Sequence, residues 1–250
     1  MMGISFGIFS AIIPNDHNKE CVFSKQSENT LMGNVMKQIK VLINGKGIIG
    51  HEGMTILEAA NQEGIHIPTL CHRPELTPSG VCRVCVVEVK GAPRLVASCH
   101  TPISEGMIVV TNSPPVMEAR RVVVELLLTG HTGSCVVDSE AHSCELHKLA
   151  AELEVGHPRF QVKKPRFYPV EEANKSVRRD MSKCILCGRC VRACRQIAKK
   201  DILAIAYRGF ATKVVVDCDG PLNKNECIDC GVCIDFCPTS ALNKPAKGVL

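Results

Sequence analysis

Two cysteine runs of identical spacing constrain this chain more than any other feature of its sequence. The runs are Cys184-x2-Cys187-x2-Cys190-x3-Cys194 and Cys227-x2-Cys230-x2-Cys233-x3-Cys237. The chain has 16 cysteines in 250 residues, and most lie in such clumps. Cysteines this close in sequence rarely bridge one another, and disulfide scaffolds are usually shorter, secreted chains. The clumped thiols therefore indicate metal ligands in a reducing compartment, and we expect the protein to be cytoplasmic.

The doubled run has the spacing of bacterial two-cluster ferredoxins, in which the fourth cysteine of each run ligates the cluster of the other run. One [4Fe–4S] cluster is therefore predicted on Cys184, Cys187, Cys190 and Cys237. The other is predicted on Cys227, Cys230, Cys233 and Cys194. We assign residues 175–245 to this domain and residues 156–174 to a linker before it. Cys218 lies outside both runs and is interpreted as a buried thiol.

A different cysteine pattern lies in a first module, residues 36–112. Its strand from Lys37 to Ile43 leads into Asn44-Gly45, a strong hairpin signal. Thr55-Ile-Leu-Glu58 is a capping box that predicts a short helix. The cysteines follow as Cys71-x10-Cys82-x2-Cys85-x13-Cys99. Strand, turn, strand, helix and cysteine loop is the order of a β-grasp ferredoxin domain.

Four thiolates can hold the two irons of a [2Fe–2S] cluster, because iron of this kind favours soft sulfur donors. The alternative is a zinc site, but zinc knuckles normally use two CxxC pairs, and this module has one. A zinc-stapled structural or partner-binding protein is therefore the competing class. The pattern Gly45-x-Gly47-x-x-Gly50 fits a dinucleotide fingerprint but lacks the acidic residue expected about 20 positions later. We interpret Gly45 and Gly47 as hairpin glycines.

A middle module, residues 113–155, combines histidines with two cysteines. Ser113-Pro114 predicts the start of a helix, and Gly130 predicts its end. The chain then reads His131-x3-Cys135-x2-Asp138-x5-Cys144 and enters a second amphipathic helix. His142 and His147 lie nearby at no motif position, and we interpret both as structural.

The segments "IPTLCHRPEL", "GVCRVCVVEV", "RRDMSKCILCGRCVRAC" and "CIDCGVCIDFCPTSAL" carry a family resemblance. The chain resembles the N-terminal region of the largest peripheral subunit of complex I and the small diaphorase subunit of NAD-reducing hydrogenases. It also resembles the N-terminal ferredoxin domains of formate dehydrogenases and iron-only hydrogenases. The match runs from Lys37 to Leu242 with the modules in the same order. It implies an α+β fold: a β-grasp [2Fe–2S] domain, a short helical His/Cys module, and a bacterial-type two-cluster [4Fe–4S] ferredoxin domain.

In these relatives the middle module holds a [4Fe–4S] cluster with the ligand pattern H-x3-C-x2-C-x5-C. His131, Cys135 and Cys144 match that pattern, but Asp138 stands at a cysteine position. A carboxylate is a harder donor than a thiolate, so the iron that it holds should be more labile. Three states are open: a [4Fe–4S] cluster with Asp138 as an oxygen ligand, a cluster that has lost that iron, or an empty fold in which His131 is an ordinary helix-cap residue.

The resemblance implies a non-catalytic subunit that relays single electrons. Its implied partners are a flavoprotein subunit that exchanges hydride with NAD(P)H and a catalytic redox subunit. We expect no catalytic domain in the 13 residues after Cys237, although a complete enzyme with its own substrate is a further hypothesis. The net charge of +5 comes with few interleaved aromatics, which argues against nucleic acid as a partner.

The N-terminal segment matches no motif. No stretch approaches the roughly 20 apolar residues that a membrane-spanning helix needs, so we expect no direct membrane insertion. Residues 1–35 show no periodic pattern, and we expect them to form a disordered extension that carries Cys21.

Overall fold

The structure is a computed structural model, and it describes residues 37–131, 144–160, 168–171, 176–216, 219 and 230–245. The predicted extension, residues 1–35, lies outside the described residues. So do several predicted ligands and neighbours: Cys135, Asp138, His142, Cys218 and Cys227. The predictions made on these residues therefore stay predictions.

The first module opens with a β-hairpin. Strand β1 (Gln38–Ile43) pairs antiparallel with β2 (Lys46–His51). The two turn residues between them, Asn44 and Gly45, have φ values of 52° and 80°. Positive φ at both central positions is the geometry of a type I′ turn, which matches the twist of the flanking strands. The predicted hairpin is therefore confirmed.

A short helix and three more strands complete this module. Helix α1 (Ile56–Gln62) begins at the predicted capping box, in which the side chains of Thr55 and Glu58 each accept from the backbone N–H of the other residue. It is followed by β3 (Val86–Val89), β4 (Val96–Ala97) and β5 (Ile108–Val110). The sheet order is β2-β1-β5-β3-β4, in which β1 and β5 are parallel and the other neighbours antiparallel. Apolar residues of α1 and of the sheet form one core.

The described residues of the middle module form two packed helices, α2 (Pro114–Thr129) and α3 (Glu145–Glu152). Ser113 stands at the N-cap of α2, but its hydroxyl donates to Glu88 Oε2 at 2.5 Å and makes no cap hydrogen bond. Gly130 ends the helix with φ of −88°, so it does not use the left-handed conformation open to glycine. Both ends of α2 are therefore where the sequence predicts them, but their local geometry differs from the usual caps.

Where the structure describes it, the last module has two two-stranded sheets and two α-helices. Its elements in chain order are β6 (Arg178–Arg179), α4 (Arg189–Gln196), β7 (Leu203–Ala206), β8 (Lys213–Val216), α5 (Val232–Asp235) and β9 (Leu242–Asn243). Strand β6 pairs with β9, and β7 pairs with β8, both antiparallel. Because β6 opens the module and β9 ends it, their pairing joins the two ends, while α4 packs against α5.

The three modules meet at a shared apolar cluster. Its buried members come from all three: Leu70, Cys71, Cys82 and Val84 from the first, Val124, Cys144, Leu146, Leu149, Ala150 and Leu153 from the second, and Ile185 and Cys187 from the third. Burial of this common surface holds the cysteine-bearing loops side by side. None of the helices in the described parts of the chain is long and apolar enough to cross a membrane.

Candidate iron–sulfur centres

The four cysteines predicted for the [2Fe–2S] cluster come together in the first module. Cys71 follows α1, Cys85 directly precedes β3, and Cys99 follows β4. All four side chains are buried. Across the parts of the chain that the structure describes, none of the twelve cysteines forms a disulfide. This arrangement is therefore suited to a ligand set and not to a disulfide.

Hydrogen bonds connect these four thiols in a row that runs from Cys82 through Cys71 and Cys99 to Cys85. The Cys82 thiol lowers the pKa of Cys71 by donating to it, with a smaller effect from Cys99. The Cys99 thiol lowers the pKa of Cys85 to about 6 in the same way. The backbone N–H of Cys71 also donates to Cys82 Sγ at 3.4 Å. Four thiols in mutual contact fit the four cysteine ligands that a [2Fe–2S] cluster requires.

A second group of cysteines surrounds the start of α4. Cys187 and Cys190 are buried, and burial raises the pKa of Cys187 to about 12. Burial also raises the pKa of Cys190 far above its ordinary value. Charge interactions with Cys184 and Cys237 also raise the pKa values of both thiols. The structure therefore brings Cys237, which belongs to the second run, beside the first run. Metal ligands must be deprotonated, so a metal bound here would displace protons that burial otherwise retains.

The third predicted set is described only in part, because Cys227 lies outside the described residues. Cys194 and Cys233 are buried in the apolar cluster of the last module. The backbone N–H of Ile202 donates to Cys194 Sγ at 3.3 Å, just as that of Leu186 donates to Cys184 Sγ at 3.4 Å. Hydrogen bonds to sulfur are among the features that set the potential of iron–sulfur clusters.

Two arginines of α4, which sequence analysis did not single out, tie the first and last modules together. Arg192 donates to the carbonyl oxygens of Cys71, at 2.5 Å, and Thr77, at 2.6 Å. Arg189 is 2% exposed and donates to the His72 carbonyl oxygen at 3.1 Å and to Glu145 Oε1 at 2.8 Å. Their spacing of three on one helix, between cysteines, is the sequence signal that could have revealed them.

In the middle module, the structure describes the first and last predicted ligands, His131 and Cys144. His131 is buried, and its Nδ1 donates to the Lys183 carbonyl oxygen at 2.8 Å. Its Nε2 lies 3.8 Å from Cys144 Sγ, so the structure brings these two predicted ligands together. His147, which we interpreted as structural, lies in the same group. Positions 144 and 147 fall on one face of a helix, which brings His147 beside Cys144.

Three protein-family models, all of iron–sulfur or ferredoxin-like domains, match this chain in the order of the three predicted modules. Residues 36–114 match the 2Fe-2S iron-sulfur cluster binding domain. Residues 120–159 match the NADH-ubiquinone oxidoreductase-G iron-sulfur binding region. Residues 174–243 match the ferredoxin-like domain of NADH-quinone oxidoreductase subunit 3. These matches confirm [2Fe–2S] and ferredoxin-like domains in a mixed α/β chain, and they give no support to the zinc-stapled alternative.

A solved structure decides the family. A crystal structure of NAD+-reducing [NiFe]-hydrogenase in the H2-reduced state contains a chain that is similar to this one, with a TM-score of 0.77 and 32% identity. The similarity covers 84% of this chain and 88% of that chain. The protein belongs to this family of iron–sulfur electron-transfer subunits. The predicted resemblance is therefore confirmed.

Curated relatives of this iron–sulfur family are much longer. The NADP-reducing hydrogenase subunit HndD of Solidesulfovibrio fructosivorans is 38% identical over 83% of this chain and 36% of that protein. An NADH-quinone oxidoreductase subunit of Rhizobium meliloti is 34% identical over 82% of this chain and 24% of that protein. The chain thus spans about a third or less of the length of the curated relatives that it matches.

Proposed function

We propose that this chain is a multi-cluster electron-transfer subunit of an NAD(P)-linked oxidoreductase complex of the hydrogenase, formate dehydrogenase or complex I type. In this role it relays single electrons between a flavoprotein subunit and a catalytic redox subunit, and it is not catalytic alone. The observation that carries the proposal is the direct attachment of the Cys71 loop to α4 through Arg189 and Arg192. Two cysteine sites that are joined by one helix suit a relay.

The proposed ligands are those predicted from the sequence. The [2Fe–2S] set is Cys71, Cys82, Cys85 and Cys99; one [4Fe–4S] set is Cys184, Cys187, Cys190 and Cys237; the other is Cys227, Cys230, Cys233 and Cys194. The five-stranded sheet with α1 packed in the same core supports a β-grasp domain at residues 36–112. The β6–β9 pairing and the α4–α5 contact support a two-cluster ferredoxin domain at residues 175–245. Between them we place the helical module, residues 113–155, and a linker, residues 156–174.

The chain's own residues would hold the clusters and control their surroundings. When bound, the clusters supply one-electron chemistry at potentials that depend on hydrogen bonds to sulfur, charge and burial. The buried thiols at Cys71, Cys85 and Cys190 exclude water from the sites. The positive charges of Arg189 and Arg192 lie beside the loops and favour added negative charge. These arginine charges would stabilise the reduced form of clusters held by the Cys71 loop and by Cys187.

The proposed flavoprotein partner follows from what the relatives are and from what this chain offers. Relatives carry names such as NADP-reducing hydrogenase and NADPH-Fe(3+) oxidoreductase. In this chain the fingerprint glycines lie in the β1–β2 hairpin, with Gly45 in the turn and Gly50 in β2. A dinucleotide fingerprint works at a strand-to-helix turn, where the helix N-terminus binds the pyrophosphate. We therefore assign nucleotide chemistry to a partner subunit.

Iron and acid-labile sulfide analysis of anaerobically purified protein tests the cluster assignment. We expect one [2Fe–2S] and two [4Fe–4S] clusters, which is about ten irons per chain by ligand counting. A fourth cluster in the middle module would raise the count to roughly fourteen. Zinc in place of iron at these cysteine sets would contradict the electron-relay proposal.

Stopped-flow mixing of the reduced chain with NAD+ tests the assignment of roles. We expect no NADH until a flavoprotein diaphorase subunit is added, because a cluster moves one electron at a time and hydride transfer needs a two-electron cofactor. Stoichiometric NADH formation by the isolated chain would contradict the relay role and indicate a complete enzyme.

A further inference from the structure

A buried serine lies directly opposite Cys85 in the first module. The antiparallel register of β3 and β4, continued by one residue, places Cys85 opposite Ser98. The Ser98 N–H donates to the Cys85 carbonyl oxygen at 3.1 Å, which fixes the two backbones against each other. Opposite residues of an antiparallel pair point to the same face, with Cβ atoms about 5 Å apart. The backbone therefore holds the Ser98 side chain beside the Cys85 thiol.

The hydroxyl of Ser98 has an unused hydrogen. Ser98 is 0% exposed, and its Oγ has no hydrogen-bond partner among the residues that the structure describes. The Cys99 thiol and, less strongly, the Ser98 hydroxyl lower the pKa of Cys85, so the hydroxyl is close enough to stabilise a thiolate there. Buried polar atoms are nearly always paired, and an exception calls for a missing group. Ionised sulfur at a ligated Cys85 would accept from this hydroxyl.

Arg120 of α2 brings a positive charge to the same place. Its side chain is 3% exposed, and Nη2 donates to the carbonyl oxygen of Val86, the residue after Cys85, at 2.8 Å. Nε is buried without a partner, and none of the ion pairs within the described parts of the chain includes Arg120. Burial lowers the pKa of Arg120, whereas negative charge on Cys85 raises it. Burying an unpaired charge is costly, so this guanidinium calls for an anion nearby.

A cluster on the four cysteines of this module would supply the anion. Four thiolates and two sulfides outweigh the charge of the two irons, so the group is negative, and reduction adds one electron to it. Positive charge and hydrogen bonds to sulfur stabilise the reduced form more than the oxidised form. A hydroxyl and a guanidinium placed at Cys85 therefore both favour reduction.

We propose that Ser98 and Arg120 raise the reduction potential of the [2Fe–2S] centre, Ser98 by donating to the Cys85 sulfur and Arg120 by its fixed positive charge. This inference rests on the proposed cluster at Cys71, Cys82, Cys85 and Cys99. Neither residue is a ligand, and both act through the surroundings of Cys85. They hold the potential above the value that the cysteines alone would give.

Potentiometric titration of the anaerobically purified full chain, followed by EPR of the [2Fe–2S] signal, tests the proposal. At a fixed solution potential, the ratio of reduced to oxidised cluster should fall about threefold in Ser98→Ala. It should fall on the order of tenfold in Arg120→Gln. Arg120→Lys keeps the charge and should keep the ratio of wild type. Ser104→Ala and Arg94→Gln are the controls, because they remove an exposed hydroxyl and an exposed cation of the same module, and they should leave the ratio unchanged.

Salt separates a buried charge from a surface charge. The difference between Arg120→Gln and wild type should persist at high ionic strength, since buried charges are screened much less than exposed ones. An unchanged ratio in Ser98→Ala or in Arg120→Gln, with the EPR signal intact, would overturn the role of that residue. An equal fall in Arg120→Lys would assign the arginine effect to packing and overturn it too.

The serine variant and wild type complete the test. Ser98→Ala removes a single oxygen atom, so it decides the proposal even if the arginine variant does not assemble. A wild-type chain without any [2Fe–2S] signal would instead contradict the proposed cluster itself, which is a different outcome from an intact signal at an unchanged potential.

Discussion

Arg192 donates from Nη2 to the carbonyl oxygen of Cys71 at 2.5 Å, and this hydrogen bond joins residues 121 positions apart in sequence. The same guanidinium reaches the Thr77 carbonyl oxygen, and the Thr77 N–H in turn donates to the Gln196 side chain at 2.9 Å. Helix α4 therefore holds the loop of the first predicted cluster while carrying cysteines of the other two. Substitutions on this helix should therefore alter the properties of more than one cluster.

The first prediction concerns the buried charge of Arg189. Arg189→Gln should lower the midpoint potential of a centre at Cys187 and Cys190, because reduction adds negative charge that a nearby cation stabilises. We expect a shift on the order of 50 mV, about 1 kcal/mol at an effective dielectric constant of ~20. Potentiometric titration followed by EPR measures it.

Two matched variants on the same helix control for effects other than charge. Arg189→Lys keeps the positive charge and should keep the potential near that of wild type. Arg195→Gln removes a 69% exposed cation that pairs with Asp201, and it should leave the potential unchanged. Equal shifts in the Arg189→Gln and Arg195→Gln variants would contradict a role for the buried charge.

The second prediction concerns crossed ligation. Cys237 lies close enough to Cys187 and Cys190 to influence their pKa values, although it belongs to the second run. Cys237→Ser should therefore weaken the cluster of the first run, and Cys194→Ser should weaken that of the second. EPR of the two reduced variants should show different lost signals. If each variant instead loses the signal of its own run, the ligation is not crossed.

The third prediction concerns Asp138, which lies outside the described residues. Asp138→Cys restores the full pattern of one histidine and three cysteines that holds a [4Fe–4S] cluster in the relatives. We expect iron and sulfide to rise by about four each, because thiolate holds iron more firmly than carboxylate does. Asp138→Ala is the control and should give no rise. If the wild-type chain has about ten irons, unchanged iron in the cysteine variant would show that the module cannot build a cluster.

The fourth prediction concerns the glycines of the β1–β2 hairpin. A Cβ on Gly50 would lie 2.4 Å from Ile103 Cδ1 and 3.1 Å from the Met54 sulfur. Gly50→Ala should therefore destabilise the first domain by about 1–3 kcal/mol through overpacking. Gly47→Ala is the matched control, because a Cβ there meets no atom within 4 Å. Thermal unfolding under anaerobic conditions should show a lower Tm for the Gly50 variant alone; equal values would contradict the packing explanation.

The spacing of the three glycines fits one structure in the sequence and serves another in the fold. From the sequence, Gly45-x-Gly47-x-x-Gly50 has the spacing of a nucleotide-binding loop. In the structure Gly45 supplies the positive φ of a turn, and Gly50 makes room for Ile103. The turn could be predicted because Asn-Gly is a local signal. The close approach of Ile103 could not, since Ile103 lies 53 positions away and reaches Gly50 only through the tertiary fold.

The sequence by itself determined the spacing of the cysteines, the family, and the local signals that begin α1 and form the first hairpin. Each of these depends on residues within a few positions of one another. Only the tertiary structure decided that Arg192 binds the Cys71 loop and that His147 joins His131. These contacts arise where buried segments from different parts of the fold pack together. Packing of this kind depends on shape in three dimensions, and no spacing along the chain encodes it.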